Sequence, residues 1–185
     1  DYGLYITKLW GVANGGSYGY YLNNTSASNL TDTVKSGDYL TAYAYTDTTN
    51  FSDTYCYFGA NTLEAYQGLA FTLTLSAAAY DESWNPIVKP VEGASILIDG
   101  VDSGLKTGAD GKVEITIDTA KTCVISATSA SATLVTPVCT VTVNEANAVT
   151  APNTGVETDG TLWVLAGMIV LAGGLVAVRR LGYEK

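Results

Sequence analysis

Phe71-Thr72-Leu73-Thr74-Leu75-Ser76 alternates large apolar side chains with hydroxyl-bearing ones at a period of two. Successive side chains of a strand point to opposite faces, so this stretch predicts a β-strand with one buried face and one wet face. Residues 94–99, 113–117, 123–128 and 138–143 repeat the theme and are rich in Val, Ile and Thr. Between them, Asp99-Gly100 and Asp110-Gly111 pair a residue that tolerates left-handed backbone with a glycine, which is hairpin-turn chemistry. About five short strands at this spacing predict an antiparallel β-sandwich over residues 63–146.

The chain has three cysteines. Cys123 and Cys139 share strand faces with Ile125, Val141 and Val143, so both should point into the sandwich. Two states fit that placement: a Cys123–Cys139 disulfide, worth about 3 kcal/mol through restriction of the unfolded chain, or two buried thiols. Cys56, between Tyr55 and Tyr57, reads as a small buried residue without a bridging partner. Asp99, Asp102 and Asp110 lie in turns too sparse in oxygen ligands for a calcium loop, and no metal site is predicted.

The run Gly93-Ala94-Ser95-Ile96-Leu97-Ile98-Asp99-Gly100, followed by Thr107-Gly108-Ala109-Asp110-Gly111-Lys112-Val113-Glu114-Ile115, resembles bacterial Ig-like and carboxypeptidase-regulatory-like modules. That resemblance implies an Ig-like fold and a stalk or spacer role with no active site of its own.

Residues 1–62 read as a separate, smaller β domain. Leu4, Ile6 and Lys8 alternate with Tyr5, Thr7 and Leu9, and Asn14-Gly15-Gly16 then breaks the pattern as a turn. Strands are predicted at 18–22, 39–45 and 54–58, a short helix at 28–35, and a tight turn at Ser36-Gly37-Asp38. Some 60 residues bury only a marginal core, so this domain should lean on a neighbour. The order Leu4-Tyr5-Ile6-Thr7-Lys8-Leu9, Tyr18-Gly19-Tyr20-Tyr21-Leu22, and Val34-Lys35-Ser36-Gly37-Asp38 leading into 39–45 resembles the transcobalamin C-terminal-like domain. The resemblance implies a β-grasp-like sheet that displays aromatic side chains to a ligand, with cobalamin or another corrinoid as the small molecule it suggests. Tyr18, Tyr20 and Tyr21 match the family's aromatic strand and Trp10 lies near its start, so these four are the ligand-binding candidates. Strand parity puts Tyr18 and Tyr20 on one face and Tyr21 on the other, so at most two of the three share one surface. Ordinary cross-strand packing is the competing reading of the same tyrosines.

The C-terminal residues form a recognisable order of parts. Ala151-Pro152-Asn153-Thr154-Gly155 is followed by a spacer with Glu157 and Asp159, an uncharged apolar run over 161–178, and a tail over 179–185 that begins Arg179-Arg180. Eighteen helical residues span about 27 Å, enough for the hydrocarbon layer of a bilayer, so 161–178 is predicted as a transmembrane helix. Arginines placed after the span should remain cytoplasmic, which puts the N-terminal side outside the cell. The order of motif, span and basic tail resembles the sorting signal of Gram-positive surface proteins, usually written Leu-Pro-x-Thr-Gly. That resemblance implies sortase and peptidoglycan as partners, cleavage at Thr154-Gly155, and 147–160 as the linker that carries the signal. Ala151 stands where leucine is usual. An uncleaved membrane anchor is the competing outcome.

Composition narrows the function classes. The chain contains no histidine, the commonest general base and metal ligand, and no enzyme activity or cofactor is predicted. Fifteen acidic residues against six lysines precede residue 151, a net charge of −9 that disfavours nucleic acid and anionic lipid. The chain starts at Asp1 without methionine, as expected for a processed product or an N-terminally incomplete fragment. The sequence therefore predicts a mainly β, surface-anchored protein that captures a small molecule or adheres to a host or polymer surface. The alternative is a stalk of a larger surface protein with no ligand of its own.

Overall fold

The computed structural model describes residues 4–146 except 5, 14, 16, 28 and 29. These fall within one compact unit, Asp1–Asn147. The linker at 147–160 with its sorting motif, the apolar run at 161–178 and the basic tail at 179–185 all lie outside the described residues. Among the described residues the protein is mainly β and has no α-helix, and no helix there is long and apolar enough to cross a membrane.

Two five-stranded layers enclose one core. The first runs β10(Lys112–Ile115)-β6(Phe71–Tyr80)-β4(Thr54–Phe58)-β12(Leu134–Val135), and β7(Pro86–Pro90) pairs with the second half of β6. The second runs β5(Thr62–Tyr66)-β13(Val138–Asn144)-β11(Lys121–Thr128)-β8(Ser95–Ile98)-β9(Val101–Lys106). Alternation decides which side chains meet: Leu73 and Leu75 from β6, Val113 and Ile115 from β10, Ile125 from β11 and Val141 from β13 all join one buried cluster. The intervening threonines and charged residues face outward. Most pairs are antiparallel, but β12 joins β4 and β5 joins β13 in parallel, a feature that alternation alone does not encode.

Turn chemistry fixes the registers. Ile98 pairs with Val101, so Asp99 and Gly100 form a two-residue hairpin turn, with φ of 51° and 80°. The Asp99 carboxylate accepts hydrogen bonds from the Val124 amide at 2.9 Å and the Lys121 ammonium at 2.8 Å, tying the turn to β11. Thr107 is buried, and its hydroxyl accepts from the Ala94 amide and donates to the Val91 carbonyl at 2.6 Å, so burial leaves it satisfied.

A third sheet, β2(Thr25–Ser26)-β1(Tyr18–Leu22)-β3(Leu40–Ala44), completes the structure. Leu22 pairs with Thr25, leaving Asn23 and Asn24 as another two-residue turn, both left-handed. The strand predicted at 4–9 is not formed by its described residues; only Leu9 bridges Val12, and Leu4 is exposed. Residues 30–35 form a turn and irregular chain rather than the predicted helix.

The boundary expected between residues 62 and 63 falls inside the two-layer structure. Thr54–Phe58, expected to close the first domain, pairs with β6 and β12, while Thr62–Tyr66 pairs with β13. The physical reason is that β4 is covered on both faces. Cys56 and Phe58 enter the core, while Tyr55 on the opposite face is buried under the three-stranded sheet.

Candidate ligand cleft

The three-stranded sheet meets the outer face of β4 through aromatic rings. Tyr21 of β1 stacks on Tyr55 of β4, centroids 3.6 Å apart and planes within 8°. Tyr43 of β3 lies 6.3 Å from Tyr55 and 5.0 Å edge-on from Tyr45, which in turn meets Phe51 edge-on at 5.3 Å. The two edge-to-face contacts, Tyr43–Tyr45 and Tyr45–Phe51, are of the kind that adds about 0.5 to 1.5 kcal/mol per pair beyond area burial, whereas Tyr21 and Tyr55 lie nearly face to face. The Tyr55 hydroxyl donates to Asn24 Oδ1 at 2.9 Å, fastening the β1–β2 turn to β4.

Two local features place these rings. Gly19 pairs with Tyr43, and the Tyr43 ring occupies the space that a Cβ at position 19 would take. Phe51 projects from a loop built on two carboxylates. Asp53 accepts from the Thr46 and Asp47 amides, and Asp47 accepts from the Thr49 and Asn50 amides and the Ser52 hydroxyl. These bonds hold the Asp47 and Asp53 carboxyls below the ordinary carboxylate range. Phe51 itself sits at φ 55° and is 51% exposed, a left-handed conformation that is costly for a bulky residue.

The rings line a cleft of about 510 Å³. Tyr21, Tyr43, Tyr45, Phe51, Tyr55 and Tyr80 supply aromatic surface; Lys89, Glu92, Ser129 and Ser131 are among the polar residues that line it. Burial, with the nearby Tyr45 and Tyr80 phenols, pushes the Tyr21 hydroxyl up to about 12. Burial also raises Tyr43 and Tyr55. All three are neutral at physiological pH, when a phenol hydroxyl can both donate and accept; that of Tyr55 already donates to Asn24. Because the Tyr21 phenol holds its proton more tightly in the folded state, its contribution is intact below pH 10. It is lost as pH rises from 10.0, the ordinary value, through about 12. We expect stability to fall across that window, and a spectrophotometric phenolate titration should show late-ionising tyrosines in the folded protein that titrate normally in denaturant.

Of the four ligand-binding residues predicted from sequence, only Tyr21 lines the cleft. Tyr18 is buried, its hydroxyl donating to the Val12 carbonyl at 2.7 Å; Tyr20 is half-buried; Trp10 is 84% exposed in the turn joining Leu9 to Val12. The sequence pattern alone does not single out Tyr43, Tyr45, Phe51, Tyr55 or Tyr80 as site residues. Tyr43 and Tyr45 were within reach, since residues two apart on a strand share a face. Phe51 and Tyr80 come from a loop and from the far end of β6, which no local pattern links.

The cysteines take the thiol alternative. Cys56, Cys123 and Cys139 are all buried and free. Cys123 pairs with Val141 and Cys139 with Ile125, so the two are diagonal neighbours on one face. Diagonal positions lie about 7 to 8 Å apart, beyond the usual span of a disulfide. Cys56 donates its thiol to the Val135 carbonyl, and burial pushes it up to about 12, far from a reactive thiolate. Mass mapping of unreduced protein should find no internal disulfide, and a thiol reagent should modify all three cysteines only after denaturation. Any native bridge would overturn this placement.

No group of three or more potential metal-ligating side chains occurs among the described residues. The chain matches no protein-family model and no curated protein.

Proposed function

We propose that this chain is a surface-anchored binding protein that captures its ligand in the tyrosine cleft, with the two-layer β structure as its support. The observation that carries this reading is the cleft itself: a concave site rich in neutral aromatic rings, rimmed by a few polar groups, built at the junction of two structural layers. Phe51 adds to it, because an exposed ring in left-handed backbone contributes little to folding and is the kind of feature found at binding sites. In this reading the three-stranded sheet is the β-grasp-like display element and the two five-stranded layers are the Ig-like module. The predicted span and sorting motif hold both at the cell surface. A calorimetric titration with cyanocobalamin and related corrinoids tests the small-molecule form of the reading, and saturable heat supports it. Failure with corrinoids and with every other class of ligand would leave the stalk reading in front.

Anchoring follows from the sequence and has its own test. We expect Thr154→Ala to abolish covalent attachment to peptidoglycan while the protein stays with the membrane through 161–178. Release of the intact wild-type chain by detergent, with no wall-linked species, would replace sortase anchoring by a simple membrane anchor.

A further inference from the structure

A second cavity, of about 240 Å³, shares Tyr21, Ala78, Ala79 and Tyr80 with the cleft. Its remaining walls are Asn24, Thr25 and Ser26 from the β1–β2 hairpin, and 86–88 from β7. The two spaces therefore lie side by side, with Tyr21 and Tyr80 at the divide.

Beyond Tyr80 the β6–β7 turn carries Trp84, its ring 6.1 Å from that of Tyr80 and 81% exposed. The turn is tightly built. The Asp81 carboxylate accepts from the Ser83 and Asn85 amides and from Asn85 Nδ2, while the Trp84 amide donates to the Asp81 carbonyl at 3.0 Å. Trp84 is held at φ 62° with its indole in water. Left-handed backbone and an exposed indole are both unfavourable for folding alone, so the turn presents Trp84 at a cost the fold does not recover.

We propose that the two cavities form one groove for a neutral oligosaccharide chain, with Trp84 as its outer stacking platform; this rests on the ligand-capture reading above. Three properties select that class. The walls combine flat rings with short hydroxyl and amide side chains, namely Asn24, Thr25, Ser26, Ser129 and Ser131. A pyranose offers an apolar C–H face to the first and hydroxyls, each donor and acceptor, to the second. Cavities in series suit a ligand of repeating units better than a single rigid macrocycle. The net charge of −9 disfavours an anionic polymer. A polyproline II peptide also docks on aromatic grooves, but it offers mainly carbonyl acceptors, which match the donor side of these hydroxyl and amide groups and leave their acceptor side without a match.

The test is calorimetry on the full chain in detergent micelles. The probes are neutral hexasaccharides of glucose, mannose and N-acetylglucosamine, the matching disaccharides, decaproline and cyanocobalamin. At least one hexasaccharide should bind saturably and about tenfold more tightly than its disaccharide, because only the longer chain fills both cavities. Trp84→Ala should remove most of that length advantage without changing the melting temperature. Absence of binding by every hexasaccharide, equal affinity for long and short chains, or an unaltered Trp84→Ala variant would overturn the proposal. If decaproline or cyanocobalamin binds while all sugars fail, the glycan inference falls and ligand capture stands. If nothing binds, both fall.

Discussion

Phe58→Ala should lower the unfolding free energy by about 3 to 5 kcal/mol, the usual cost of emptying an aromatic site in a core that collapses only partly around the gap. Phe58 is 2% exposed and pairs across the sheet with Leu75, which is fully buried. Its strand lies between β6 and β12 in one layer, and its ring belongs to the cluster that also holds Ile125 and Val141 of the other layer. A cavity there therefore loosens both layers at once. Urea denaturation should show the midpoint moving with little change in slope, the mark of lost stability without a new intermediate. A loss below about 1 kcal/mol would mean that Phe58 is not part of a packed core.

Gly19→Ala is expected to strike the cleft rather than the core. The Tyr43 ring fills the position of the missing Cβ, so a methyl group there forces the ring away from β1. Tyr43 touches Tyr21, Tyr45 and Tyr55, and its displacement disorders the aromatic wall as a whole. The overpacking should cost about 1 to 3 kcal/mol in stability. The loss in ligand affinity should exceed about tenfold, as for removal of an interface anchor. Tyr43→Ala combined with Gly19→Ala should recover part of the stability and none of the binding. That double variant separates steric strain from loss of the ring.

How much of this was legible in the sequence depends on what each element needs. The β6, β8, β10, β11 and β13 strands announce themselves because one face is buried and the other wet, and alternation records that difference residue by residue. Leu4 to Leu9 alternates as well, yet its described residues form no strand, because a strand also needs a partner and alternation does not supply one. Pro86–Pro90 is an edge strand bounded by prolines, whose missing amides argue locally against a sheet. Val101–Lys106 contains Gly104 at φ 76° beside an irregular register, which hides its period. Thr54–Phe58 reads as a strand, but the sequence does not show which strands it pairs with. Its apolar residues fall on both faces, and only long-range packing decides that one face belongs to the core and the other to the tyrosines. The same limit applies to the site: Tyr21 lies in an aromatic strand that the sequence displays, whereas Tyr55 and Tyr80 join it through contacts that no spacing encodes.

We propose that the exposed rings of the cleft exist to hold a ligand. Phe51 tests it most directly, because it is half in solvent, lines the cleft and packs only lightly, edge-on against Tyr45. The decisive measurement is the affinity of wild type and Phe51→Ala for whichever oligosaccharide, corrinoid or peptide binds, alongside their melting temperatures. We expect Phe51→Ala to weaken binding by more than about tenfold with the melting temperature almost unchanged, as for an aromatic anchor at an interface. Undiminished affinity together with a marked fall in melting temperature would contradict the claim and make Phe51 a packing residue of the fold.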